Sequence, residues 1–270
     1  MAGQLLDKVA VVTGGASGIG RATALRFATE GASIVIGDLD ATRGEETTAA
    51  IRANGGSAIF VRTDTTSEAD CDALADAAMQ EFGRLDVCLA AAGISDATYV
   101  SGQESPSVEM LTTDESHVQN LASEQWEKVI DVNLKGVFLT DRAVSRQMIA
   151  AGNGGAIVNI ASIAAKVPLP GAAPYCVSKA GVWMLTKVMA VELTPYDIRV
   201  NAIGPGFIET PMTATMAADE TGLQMMLQMT PMNRLGQPEE IAATALFLAS
   251  GEGSYFTGEL LHPGGGMFHG

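Results

Sequence analysis

The chain predicts an α/β fold: a mainly parallel, doubly wound sheet with helices on both faces. Three observations carry this. Short apolar runs recur between helical stretches, the first run opens directly into a glycine-rich turn, and the polar residues that stand out fall just after the runs. The run at residues 9–13 is of buried-strand type and leads into Gly14-Gly-Ala-Ser-Gly18-Ile-Gly20, with a helix expected over residues 21–30. Glycines let a backbone approach a pyrophosphate, and the amides and dipole of the following helix receive its charge. The spacing is Gly-x-x-x-Gly-x-Gly, not the commoner Gly-x-Gly-x-x-Gly, and tight-turn geometry alone also accounts for it.

Residues 33–37 read as the second strand, ending at Asp38, 24 residues after Gly14. An acid near that spacing accepts hydrogen bonds from adenosine ribose hydroxyls and repels a 2′-phosphate, which favours NAD over NADP. The competing reading is a strand-end aspartate that only shapes a turn. Leu39, where a phosphate-binding basic residue could stand, weakens that alternative, and Arg43 works the other way. A third strand is expected at 58–61, followed by Asp64. Ser67 is expected to cap a helix with apolar positions 71, 74, 75, 78 and 82, which Gly83 ends. Further strands are expected at 86–91, 156–160, 198–203 and 258–261, with helices from Ser123 to about 137, from the Tyr175 region to about 193, and over 238–250.

Two stretches break this rhythm. Residues 94–122 are polar and weakly periodic, so they either line a substrate entrance or form a surface excursion. Residues 207–232 hold six of the thirteen methionines, at 212, 216, 225, 226, 229 and 232. An adaptable apolar lid, core packing and a subunit contact all fit such a segment.

The composition, 47% hydrophobic and 17% charged over 270 residues, describes a globular protein, and no linker divides it, so one domain is expected. A net charge of −15 argues against nucleic acid and anionic membranes as partners. Three cysteines without a Cys-x-x-Cys pair fit reduced thiols in a cytoplasm, and residues 1–8 show no export signal. No metal-ligand spacing surrounds His117, and Cys176 is expected to pack.

The chemistry is expected at Tyr175-Cys-Val-Ser-Lys179, with Ser162 thirteen residues before the tyrosine. Positions four apart share a helix face, so the phenol and ammonium can address one reacting atom. A nearby cation lowers a phenol from about 10 toward neutral-pH acid/base work. Asn133 lies among apolar residues, where a buried amide needs partners and is usually structural.

Thr13-Gly-x-x-x-Gly18-x-Gly20, Asp38, Asp64, Asn133, Ser162, Tyr175-x-x-x-Lys179 and Asn201-x-x-x-Pro205-Gly206, in this order, resemble the short-chain dehydrogenase/reductase family over residues 8–265. The resemblance implies a single Rossmann-type, seven-stranded domain, commonly assembled as a homotetramer through the two long helices starting near Ser123 and Tyr175. It implies Tyr175 as general acid/base, Ser162 as the hydroxyl holding the substrate oxygen, Lys179 as the group that lowers the tyrosine pKa and binds the nicotinamide ribose, and Asn133 as the anchor, through its carbonyl, of a relay water. The same resemblance places Gly14, Ser17, Gly18, Ile19 and Gly20 at the pyrophosphate, and Asp38 and Leu39 at the adenosine ribose. Asp64 and Thr65 then flank the adenine, Ala91, Ala92 and Gly93 follow the adenosine, and Pro205, Gly206, Ile208 and Thr210 lie at the carboxamide and phosphates. The implied activity is NAD-dependent interconversion of a secondary alcohol, apolar or cyclic, and its ketone. A 3-oxoacyl-thioester reductase and a non-catalytic dinucleotide-binding regulator are the alternatives.

Three departures from the family pattern stand out. Ala90-Ala-Ala-Gly93 replaces Asn-Asn-Ala-Gly, Gly93 to Asn133 spans 40 residues and so carries an insertion, and Pro263-Gly-Gly-Gly266 replaces Val-Asp-Gly-Gly.

Overall fold

A computed structural model describes residues 3–96, 98, 99 and 116–268. Strands β1 (Val9–Thr13), β2 (Ser33–Asp38), β3 (Ala58–Arg62), β4 (Val87–Ala90), β5 (Gly155–Ile160), β6 (Ile198–Ile203) and β7 (Leu260–Leu261) form one seven-stranded sheet. Its order is β3-β2-β1-β4-β5-β6-β7 and every neighbouring pair is parallel. The chain leaves β1 toward β2 and β3, then returns to place β4 on the other side of β1. That reversal opens a crevice beyond Thr13 and Ala90, which are paired across β1 and β4.

Alternation along the strands sends successive side chains to opposite faces. Ala10 and Val12 join Ile34, Ile36 and Val158 under α1 (Gly18–Thr29) and α9 (Pro238–Ala249), with Phe27 and Ile241 fully buried. Val9 and Val11 join Val35, Cys88 and Ile157 under α3 (Glu68–Phe82), α5 (Gly136–Ala151) and α6 (Ala173–Leu193). Each fully buried Leu, Ile or Phe contributes roughly 1.5–3 kcal/mol. The second helix, α2 (Ala41–Ala53), flanks the β2–β3 side.

Helix α1 starts three residues before the expected Arg21, because Gly18, Ile19 and Gly20 are themselves helical. A Cβ on Gly20 would lie 2.1 Å from the Gly14 carbonyl oxygen, so only glycine allows the turn to feed straight into the helix. Helix α3 behaves as its sequence implies: the Ser67 hydroxyl accepts from the Asp70 amide, and Gly83 ends it at φ 74°. Ser123 does not cap its helix. Ala122 occupies the cap position of α4 (Ser123–Ile130), and Ser123 is already helical. Between α4 and α5 the helix widens into a π segment, Asp131–Lys135, which carries Asn133.

Two carboxylates are buried under the sheet's framework for opposite reasons. Asp86, at the amino end, accepts from Arg84, Lys8, the Val9 amide and Asn153, and these partners outweigh burial and hold its carboxyl below the usual range. Among the described residues, Asp141 of α5 accepts only from Asn159 Nδ2 of β5 (2.9 Å), which also donates to Thr186 Oγ1 of α6 (3.1 Å). Asp141 Oδ1 and Asn159 Oδ1 have no partner among the described residues. Burial pushes Asp141 up to about 7, and a neutral carboxylic acid supplies the hydrogen-bond donor that this cluster lacks.

A raised carboxyl pKa makes the folded state the better proton binder between the ordinary value of 3.8 and about 7, so this group destabilises the fold as pH rises through that interval. Asp141→Asn, which is nearly isosteric and cannot ionise, should therefore gain thermal stability relative to the parent from about pH 4 to about pH 7 and hold a constant margin above it. Melting curves across that range check this; a margin independent of pH would show that Asp141 is ionised in the fold.

Candidate active site

The crevice is built by backbone approaching backbone. At Gly14 (φ 66°) an added Cβ would lie 2.8 Å from the Ala92 nitrogen, so the glycine turn rests directly on residues 91–92. Thr13 Oγ1 accepts from the Ala91 and Ala92 amides at 3.2 and 3.4 Å, a tether that holds the Ala-Ala-Ala-Gly stretch without asparagine side chains. Gly18 (φ 50°) faces the Thr210 methyl, 3.4 Å from where its Cβ would be. Ser17 precedes α1 in extended conformation with its side chain making no cap bond, and Ile19 packs partly into the core. A glycine-rich turn running into a helix N-terminus is an arrangement suited to a dinucleotide pyrophosphate.

Asp38, only 4% exposed, ends β2 at the same crevice. Its Oδ2 accepts from the Ala16 amide and its Oδ1 from the Asp40 amide, both at 3.0 Å. Burial raises its pKa, and these amide bonds oppose the rise. The carboxylate thus staples the glycine turn to β2, a role that spacing alone did not reveal. Leu39 is exposed, while Arg43 is drawn back to Asp40, with its Nε 3.8 Å from the Asp40 carboxylate. Asp64 closes a turn by accepting from the Thr66 amide and hydroxyl, and buried Thr65 packs where a side chain on Gly136 would stand.

The predicted reacting residues converge at the carboxyl ends of β4 and β5. Tyr175 lies in the first turn of α6, after Pro174, and Lys179 follows one turn later. Lys179 is buried, donates to the Ile160 carbonyl at 2.9 Å, and has its Nζ 5.7 Å from the Tyr175 ring centre. Ser162 accepts from the Ala164 amide at 3.1 Å and so caps the short 3-10 turn Ile163–Ala165. The Pro205 carbonyl accepts from the Ile163 amide, which brings Pro205 and Gly206 beside Ser162, and Ile208 bridges to Gly236. Fully buried Asn133 clamps Ile94 in both directions: its Oδ1 accepts from the Ile94 amide and its Nδ2 donates to the Ile94 carbonyl, both at 2.8 Å. A Cβ on Gly93 would stand 3.2 Å from Asn133 Oδ1 and 3.4 Å from Lys179 Nζ. Ser178, not singled out by its sequence position, links the set by accepting from Asn133 Nδ2 and donating to the Tyr175 carbonyl.

The electrostatics differ from the sequence expectation. Burial raises the Tyr175 phenol, with the Ser162 hydroxyl opposing it, while burial lowers Lys179 to about 8. Among the protein's own groups, desolvation therefore outweighs the Ser162 hydrogen bond that favours a phenolate.

The methionine segment divides between its readings. Met212, on α7 (Pro211–Ala218), borders the apolar cluster that also packs on Tyr175, whereas Met226, on α8 (Glu220–Met229), is core and Met225 and Met232 are exposed. A cavity of about 660 Å³ between these helices and Arg234 contains none of Ser162, Tyr175 and Lys179. Most of the 94–122 stretch, residues 97 and 100–115, lies outside the described residues. Cys176 is half-buried, with its thiol toward the Leu169 carbonyl, as packing requires. The tail folds back on its own chain: Gly206 donates to the Pro263 carbonyl, and Phe268 lies against His262 and Lys166. Among the described residues no group of His, Cys, Asp and Glu could hold a metal ion, and no helix is long and apolar enough to cross a membrane.

A family model described as enoyl-(acyl carrier protein) reductase matches residues 14–268. The chain is 40% identical over 266 residues to a 2,5-dichloro-2,5-cyclohexadiene-1,4-diol dehydrogenase of Sphingobium indicum, covering 98% of each. It is also 40% identical over 264 residues to 3beta-hydroxysteroid dehydrogenase 1 of Eggerthella lenta, covering 97% of this chain and 94% of that one. Its fold superposes on a crystal structure of a short-chain type dehydrogenase/reductase from Mycobacterium marinum with a TM-score of 0.88 and 31% identity, over 98% and 97% of the two chains. With this coverage and a wholly parallel seven-stranded sheet behind the crevice, the chain belongs to the short-chain dehydrogenase/reductase family and is an oxidoreductase of the kind that uses a nicotinamide dinucleotide.

Proposed function

We propose that this protein is an NAD(H)-dependent oxidoreductase of the cytoplasm that interconverts an apolar or cyclic secondary alcohol and its ketone. The convergence of Tyr175, Ser162 and the buried Lys179 at the sheet's carboxyl edge carries this reading. A bound nicotinamide ring supplies the hydride acceptor for oxidation and the donor for reduction. Ser162 holds the substrate oxygen, and Tyr175 takes its proton as the carbon–oxygen double bond forms, returning it in the reverse direction. The Ile160 carbonyl takes one of the three Lys179 donors, and the others would be left to hold the nicotinamide ribose. Asn133, its side chain committed to Ile94, offers its backbone carbonyl within the π segment to a water that passes the proton outward.

For the cofactor, Gly14, Ser17, Gly18, Ile19 and Gly20 receive the pyrophosphate, and Asp38 the adenosine ribose. Asp64 and Thr65 flank the adenine, Ala91, Ala92 and Gly93 follow the adenosine, and Pro205, Gly206, Ile208 and Thr210 hold the carboxamide end. The charge of Asp38, together with Arg43 turned to Asp40, supports NAD over NADP. Reduction of 3-oxoacyl thioesters is the reading closer to the family model's description, and biosynthetic reductases of that kind tend to use NADPH.

The outer face of α6 exposes Val177, Met184, Val188 and Val191, spaced to form one stripe, and Phe138 of α5 is exposed as well. This supports a homotetramer formed through these helices.

Three outcomes follow. Tyr175→Phe should lose about 10²–10⁴-fold in kcat while still binding NADH by fluorescence titration; near-normal turnover would refute its role. The parent enzyme should prefer NAD, and Asp38→Asn should narrow the ratio of kcat/KM for NAD and NADP by about tenfold, the worth of a ~1.4 kcal/mol repulsion; a parent that prefers NADPH would reverse the assignment. Light scattering should give a tetramer that Val188→Asp with Val191→Asp dissociates, and a monomeric parent would exclude that assembly.

A further inference from the structure

One wall of the site comes from the stretch between Gly93 and Asn133. Tyr99 is 4% exposed and is buried with Ile94 and Val129 in a cluster on which Val132, Met212 and Tyr175 pack. Three separate segments build this wall: the loop after β4, helix α4 with its π continuation, and the first turn of α7. Ile94 and the residues bonded to Asp96 are both anchored. Ile94 is clamped by Asn133, and Asp96 gathers the donors around Tyr99: Ser95 Oγ at 2.7 Å, the Thr98 amide at 2.8 Å, the Thr98 hydroxyl and the Tyr99 amide at 3.1 Å. Burial works against this carboxylate, yet those bonds outweigh it and hold Asp96 ionised below the usual range. A buried aromatic ring on so fixed a backbone has little freedom to yield.

Resting on the reading of Tyr175 as the acid/base, we infer that Tyr99 is a specificity-determining residue: its ring limits the space beside the phenol, so that the substrate is an alcohol on a single alicyclic ring. Among the described residues this wall is made of apolar and aromatic side chains, which suits an apolar part of the substrate next to the reacting carbon. Relatives at the same identity act on a one-ring diol and on a steroid, so overall likeness does not choose between these sizes, whereas a bulky side chain at this point does.

The test compares kcat/KM for cyclohexanol, decahydro-2-naphthol and a 3β-hydroxysteroid, with NAD saturating. The parent should favour cyclohexanol. Tyr99→Ala should raise the ratio of decahydro-2-naphthol to cyclohexanol by at least about tenfold, and Tyr99→Phe should hold it within about twofold of the parent. Tyr99→Leu serves if the alanine variant does not fold. Turnover of cyclohexanol with a ratio unmoved by Tyr99→Ala would overturn this inference and leave the proposed activity standing. If no alcohol is turned over, that activity fails, and the same ratio is read from calorimetric binding of cyclohexanone and 2-decalone, where an unchanged ratio again overturns the role of Tyr99.

Discussion

The site depends on burying the ammonium of Lys179 at the end of the sheet. A cation there is costly unless its donors are met, and the Ile160 carbonyl meets one of them from the last residue of β5. The same contact locks α6 to the strand that ends beside Ser162. Ser178, on the adjacent turn, then passes the constraint through Asn133 to Ile94, so the elements around Tyr175 are fixed relative to one another before any ligand is considered. Burial that holds Tyr175 above and Lys179 below their usual values is the pattern expected of groups poised to exchange protons, not of a structural ion pair.

Two buried carboxylates, Asp38 and Asp141, show how local surroundings decide a role. Asp38 receives amides from both sides, which keeps the glycine turn registered on β2 and leaves lone pairs unused. Asp141, between α5, β5 and α6, has one donor for two oxygens and is stabilised by keeping its proton. Neither difference is visible in residue type.

Much of the framework was legible in the sequence because it rests on local signals. Apolar runs bounded by polar residues marked all seven strands to within a residue or two, and Ser67 with Gly83 marked both ends of α3. Tyr175 and Lys179 share a helix face by spacing alone. What escaped has no local signature. The π segment at Asn133 differs from the surrounding helix by one extra residue per turn, Ala122 stands where Ser123 was expected to cap, and Tyr99 is a single aromatic in a polar stretch whose partners are distant in sequence. The direction of the Tyr175 shift was misread for a related reason: spacing shows that a cation is near but not how far both groups are withdrawn from water.

The account therefore stands on the charge of Lys179 countering that withdrawal during turnover. The direct measurement is the pH dependence of kcat/KM for alcohol oxidation in the parent and in Lys179→Met. The account predicts a controlling pKa at least about one unit higher in the variant than in the parent. The same controlling pKa in both proteins would contradict it.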